Sequence, residues 1–308
     1  MRSKIVSFPS PPPLPQAPPP CLPPRRRALS LAGVPLFETL DLVAWCLVLL
    51  FFGTSALVGS GSLAQSLLGA GAIIMIMLIV GASVELVIES LRDVRGLGTL
   101  VGFITNGPEA LCLVVGLIGG DILFAASTPL GSNYMNPIML IAAATLTGCR
   151  RSVLRTRPLF TAICILATAS LAAGFFCLDE SGYPWWLATS LAVTLLLFVR
   201  RPADAAEKAD EEGGGPGRKW FVPALAVLVL SGYLLDPAVS YAAAQSHAPK
   251  GVIGFCMLAM LTSWPEFKSC LALNRRRRYL SSVLNITVSN ITNIWLAWLG
   301  VAIHLLTR

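Results

Sequence analysis

Two sets of oxygen-bearing side chains recur along this chain at one fixed spacing. Thr105, Pro108 and Glu109 are followed by Ser132, Asn133 and Asn136, and Thr262, Pro265 and Glu266 by Ser289, Asn290 and Asn293. Glu109 to Asn136 and Glu266 to Asn293 are both 27 residues apart, and all six residue types coincide at an offset of 157 without a gap. Carboxylates, amide oxygens and hydroxyls are the ligands that hard cations such as Ca²⁺ take, six to eight at a time. Two carboxylates also match the charge of one divalent ion. Thr105 and Glu109, Thr262 and Glu266, Ser132 and Asn136, and Ser289 and Asn293 are each four apart, so a helix puts each pair on one face. A proline removes one backbone donor and frees a carbonyl of the preceding turn, and an ion or water can be its partner.

The surroundings are apolar. Of the 308 residues 55% are hydrophobic and 13% charged, with mean hydropathy +0.72, against about 25% charged in a soluble chain. A carboxylate inside an apolar span is costly in lipid and marks a functional site by default. The net charge of +7 does not point to nucleic acid, because Lys and Arg sit in short loops between apolar runs, where membrane topology places them. The eight cysteines form no C-x-x-C pair and read as small buried hydrophobes. His247 and His304 stand alone, which argues against zinc or haem.

These sites need membrane helices to position them. Residues 1–36 are Pro-rich and read as a disordered cytoplasmic tail. Nine apolar spans follow, near 40–58, 70–91, 99–118, 122–147, 158–177, 184–199, 220–240, 251–273 and 280–304. With the amino terminus inside, Arg92 and Arg95, Arg150 to Arg157, Arg200 to Lys219, and Arg275 to Arg278 all fall on the inner side. The carboxyl terminus then lies outside. The two motif pairs run in opposite directions, and inverted repeats place equivalent side chains near the bilayer midplane. The divisions are thus the 1–36 tail, an extra amino-terminal helix at 37–60, and a first half at 70–200 containing a repeat at 99–147. A cytoplasmic linker at 201–219 leads to a second half at 220–308 containing a repeat at 251–304. Lys268 reads either as snorkelling to headgroups or as pairing with Glu85 or Glu89. Trp185, Trp186, Trp220 and Trp295 read as interface or packing aromatics.

Over residues 70 to 304 the chain resembles the sodium/calcium exchanger branch of the calcium:cation antiporter superfamily, whose repeats pair a T-S-x-P-E helix with a G-S-N-x-x-N or G-S-x-x-x-D helix. Thr105, Pro108 and Glu109, and Thr262, Ser263, Pro265 and Glu266, match the first element. Gly131-Ser132-Asn133 with Asn136, and Ser289-Asn290 with Asn293, match the second. The resemblance implies an all-α polytopic membrane protein with two inverted repeats and an antiporter's alternating access. It implies Ca²⁺ exchanged for Na⁺ or H⁺ at Glu109 and Glu266, with Thr105, Asn106, Thr262, Ser263, Ser132, Asn136, Ser289 and Asn293 around them. Backbone carbonyls near Gly102 and Ala259 would serve the monovalent ions. The chain departs from the pattern at Asn106, Gly107 and Trp264, at Asn293 where many members have aspartate, and in an extra first span. It also ends after the equivalent of the eighth of ten helices.

The expected setting is the plasma or inner membrane, with Ca²⁺, monovalent cations and lipid as partners, no resident cofactor and an open oligomeric state. Two other readings stand beside this one. A degenerate member would bind a cation without transporting it, and a half-assembly would need a partner for the absent helices. An intramembrane enzyme fits poorly. Glu and Ser in inverted repeats also occur in undecaprenyl-pyrophosphate phosphatases, but the P-G-x-S-R-S-G phosphate loop they need is absent, and no Ser-His or Cys-His pair occurs in the spans.

Overall fold

An apolar run in a bilayer has no water to satisfy its backbone, so it satisfies itself as a helix. The computed structural model describes residues 30–31, 34–35, 39–91, 94, 96–118, 122–203, 218–248 and 259–307. Helices dominate them: α1 (Thr39–Val58), α2 (Leu63–Ser90), α3 (Leu97–Ile104), α4 (Gly107–Ile118), α5 (Ile122–Leu146), α6 (Arg150–Arg155), α7 (Pro158–Phe176), α8 (Tyr183–Val199), α9 (Phe221–Ser246), α10 (Ala259–Thr262), α11 (Trp264–Arg275) and α12 (Tyr279–Thr307). Among the described residues five segments are long and apolar enough to cross a membrane: Leu63–Ser90, Pro158–Phe176, Glu180–Val199, Phe221–Ser246 and Tyr279–Thr307. The chain is therefore an all-α, membrane-embedded protein. The predicted 1–36 tail lies outside the described residues except for a two-residue antiparallel pairing, Ser30–Leu31 with Val34–Pro35. Most of the 201–219 linker and the start of the 251–304 repeat also lie outside them.

The offset seen in the motifs extends to whole helices. Moved by 157 positions, α2 falls on 220–247, α4 on 264–275 and α5 on 279–303, against α9, α11 and α12 as observed. Packing follows the same correspondence. α4 lies on α9 as α11 lies on α2, and α5 meets α12.

α2 and α9 run antiparallel along one another. The Ser62 amide donates to the Gln245 carbonyl at 2.9 Å, and a Cβ on Gly69 would stand 2.8 Å from the Ala242 Cβ. Small residues at such crossings let backbones approach where no hydrophobic force drives helices together. This contact also moves the helix limits. α2 begins at Leu63 and α9 runs to Ser246, where the sequence places their ends near 70 and 240. The added turns are those that pack against each other.

Two of the expected spans are broken. α3 ends at Ile104 and α4 starts at Gly107; α10 ends at Thr262 and α11 starts at Trp264. The prolines fall in the first turn of the second segment, where a missing N–H leaves no bond unmade. α3 sits close against α12, since a Cβ on Gly102 would lie 2.6 Å from the Asn285 carbonyl and one on Gly98 would collide with the Ser281 backbone. Gly98→Val is expected to destabilise the protein by roughly 1–3 kcal/mol. Thermal unfolding in detergent checks this, and an unchanged Tm would contradict the close α3–α12 approach.

The cysteines are more varied than the sequence suggests. Cys164 and Cys270 are buried thiols, whereas Cys46 and Cys177 are exposed. Cys149 is disulfide-bonded, which corrects the reading of all eight cysteines as small buried hydrophobes. Trp186 and Trp295 pack inside, donating to the Leu171 carbonyl at 2.9 Å and to Thr194 Oγ1 at 2.9 Å. Trp185 is 76% exposed and Trp220 is also exposed.

Candidate cation site

The breaks place both glutamates in the first turns of α4 and α11. There the free backbone N–H groups and the positive end of the helix dipole favour a carboxylate. The short segments before the breaks, α3 and α10, bring their carbonyl ends to the same place, which suits a cation. Gly102 is buried one turn before the first break, and Ala259 opens α10.

Glu109 and Glu266 are both fully buried and lie within electrostatic reach of each other. Ser132 Oγ donates to Glu109 Oε1 at 3.2 Å, and Ser289 Oγ donates to Glu266 Oε1 at 3.1 Å. These bonds are the same interaction at the offset of 157. The threonines cross over: Thr262 lies beside Glu109 and Thr105 beside Glu266, while Ser132 Oγ lies 3.4 Å from Thr262 Oγ1. The sequence predicts each threonine beside the glutamate of its own repeat, four residues on along one helix. The helix break means that each pair is not on one continuous helix, and each threonine also neighbours the other repeat's carboxylate. Thr105 Oγ1 also lies 3.0 Å from the Val101 carbonyl of its own helix.

The amides divide into two kinds. Asn106 is a cross-link: its Nδ2 donates to the Ser289 carbonyl at 3.0 Å, and its Oδ1 lies 2.7 Å from Ser289 Oγ. Asn136 Nδ2 reaches Ser289 Oγ at 2.9 Å and Asn290 Oδ1 at 3.0 Å. Other oxygens have no hydrogen-bond partner although buried: Glu109 Oε2, Glu266 Oε2, Asn136 Oδ1, Asn293 Oδ1, Asn133 Oδ1 and Ser263 Oγ. A buried polar atom without a partner costs about 1–3 kcal/mol. Unpartnered oxygens on α4, α5, α11 and α12, with Asn293 Nδ2 an unpartnered nitrogen beside them, fit the coordination of a hard cation. Among the described residues no cluster of three or more His, Cys, Asp or Glu exists, so the donors are two carboxylates and neutral oxygens.

One contact was not legible in the motifs. Pro137 has no N–H for the Asn133 carbonyl four residues back. Asn290 Nδ2 supplies it from α12 at 3.3 Å and also reaches Thr168 Oγ1 of α7 at 3.3 Å. Asn290→Ala is expected to cost about 1–3 kcal/mol by stranding that carbonyl. Pro137→Ala in the same chain should recover part of this cost by restoring a backbone donor. A thermal-unfolding double-mutant cycle measures the coupling, and strict additivity would contradict it.

Lys268 lies on α11, two residues past Glu266. It is buried rather than extended to the surface, with its stem beside Gly81 and its ammonium 6.0 Å from the Trp264 ring centroid. Arg276 holds the α2 carboxylates, at 2.9 Å to Glu89 and 3.7 Å to Glu85.

No protein-family model, curated protein or solved structure matches this chain.

Proposed function

We propose that this protein is a secondary cation antiporter, exchanging Ca²⁺ for Na⁺ or H⁺ by alternating access between two inverted halves. The observation that carries this reading is the convergence of Glu109 and Glu266, 157 residues apart and in matching surroundings, each with one buried oxygen that makes no hydrogen bond. Antiparallel α2 and α9, and the matched Ser132–Glu109 and Ser289–Glu266 bonds, are what a pseudo-twofold axis in the membrane plane would produce. In this reading nine spans cross the plasma or inner membrane, with the amino terminus and the arginine clusters in the cytoplasm and the carboxyl terminus outside.

Coupling follows from charge. Two ionised carboxylates in a low-dielectric interior cannot be left uncompensated, because burying unpaired charge is too costly. The site therefore returns across the membrane only after reloading with other cations or protons. Ca²⁺ would be held by the two carboxylates, with Ser132, Ser289, Asn136 and Asn293 completing the shell, and backbone carbonyls near Gly102 and Ala259 available to monovalent ions. Purified protein in liposomes should take up ⁴⁵Ca²⁺ when a Na⁺ or H⁺ gradient is imposed. Uptake indifferent to both gradients would refute antiport. Saturable Ca²⁺ binding with no flux would instead identify a cation-binding member that does not transport.

A further inference from the structure

The two halves differ beyond the glutamates. On α11, Glu266, Cys270 and Asn274 are four residues apart and share one face. On α12, Ser282 and Asn285 continue toward the arginine loop the face that carries Ser289. The two faces meet: Asn285 Nδ2 donates to the Glu266 carbonyl at 3.4 Å and to Cys270 Sγ at 3.6 Å, and Cys270 Sγ donates to the Ser282 carbonyl at 3.7 Å. All of these side chains are fully buried. Yet Asn274 Nδ2 and Oδ1, Ser282 Oγ and Asn285 Oδ1 have no hydrogen-bond partner. A strip of unsatisfied polar groups thus leads from Glu266 to the end of α11, beside Arg275 to Arg278.

Among the described residues the other half shows no such strip. Cys270 and Asn274 correspond at the offset of 157 to Leu113 and Leu117, and Ser282 to Ala125, while Asn285 corresponds to the buried Thr128. Leu113 is buried in an apolar cluster with Ile122, Leu130 and Val301. A polar strip can be hydrated when the helices part slightly, whereas an apolar plug cannot be hydrated without losing its packing. Where the strip ends, Arg276 is paired with Glu89 and Glu85.

We propose that the Glu266–Cys270–Asn274 face of α11, with Ser282 and Asn285 of α12, is the path by which water and cations pass between the paired glutamates and the arginine-bearing side. This rests on the antiport reading for its purpose but not for its test. Two buried free thiols make the comparison internal: Cys270 lies on the strip, and Cys164 on α7 lies off it, 3.6 Å from the Thr287 carbonyl.

Oriented vesicles would be treated from either side with a small methanethiosulfonate reagent. The cysteine thiolate attacks the reagent's sulfenyl sulfur, a disulfide forms and methanesulfinate leaves. Mass spectrometry then gives the labelling rate at each cysteine, and Cys270→Ser verifies the assignment. Cys270 should be labelled at least tenfold faster than Cys164, faster from the arginine-bearing side, and more slowly in saturating Ca²⁺. Equal slow labelling of both thiols, or labelling of Cys270 only from the opposite side, overturns the path. Fast, sided labelling in a protein without ⁴⁵Ca²⁺ flux would keep the path and remove the antiport reading. Flux without labelling of Cys270 would do the reverse.

Discussion

Glu109→Gln should reduce gradient-driven ⁴⁵Ca²⁺ flux by at least about a hundredfold. A unit charge about 4 Å from another is worth roughly 4 kcal/mol at an effective dielectric of 20, and each 1.4 kcal/mol is tenfold in affinity. Removing one of two carboxylates therefore outweighs the loss of any neutral ligand. Glutamine keeps the shape and can still accept from Ser132, which is 3.2 Å from Glu109 Oε1. The substitution also removes one of two like charges buried near each other. The variant should thus unfold at the same temperature as the parent or higher. Lost flux with retained stability identifies a ligand, whereas lost flux with a collapsed Tm identifies a packing element. The matched bonds from Ser132 and Ser289 make Glu266→Gln an equal partner, with the same loss expected.

Asn293→Asp carries the second large effect, in the opposite direction. Asn293 is fully buried, and neither its Oδ1 nor its Nδ2 has a hydrogen-bond partner. It stands one helical turn from Ser289, which bonds to Glu266. A third carboxylate there adds attraction for a divalent ion but must itself be desolvated, and the second effect cancels much of the first. The net expectation is about tenfold tighter Ca²⁺ binding, or about 1.4 kcal/mol. The cation-free protein should be less stable than the parent, and Ca²⁺ should raise its Tm more. Unchanged affinity and an unchanged Ca²⁺-induced Tm shift would place Asn293 outside the coordination shell.

Much of this was legible in the residues because it depends on local pattern. The apolar runs announce helices, and the matched Thr-x-x-Pro-Glu and Ser-Asn-x-x-Asn segments announce an equivalent pair of oxygen-bearing sites. The proline positions hint at disturbed helices but do not say where the chain breaks. Those breaks, at Thr105-Asn106 and at Ser263, separate each threonine from its own glutamate. Which glutamate a threonine meets is decided by the docking of helices far apart in sequence, and periodicity within one helix cannot report that. The same holds for Asn106 with Ser289 and for Asn290 with the carbonyl freed by Pro137. Pro137 four residues after Asn133 was the available signal for the second. It identified a carbonyl in need of a donor but not the donor itself.

Antiport at this site requires that the two glutamates hold one ion together. Equilibrium Ca²⁺ binding to the purified protein, its Glu109→Gln and Glu266→Gln variants and the double variant tests this most directly. A shared site predicts that the two carboxylates hold a single Ca²⁺ ion, that either single substitution abolishes its binding, and that the double substitution removes nothing more. If each single variant kept an independent Ca²⁺ site and only the double variant lost binding, the carboxylates would be acting separately.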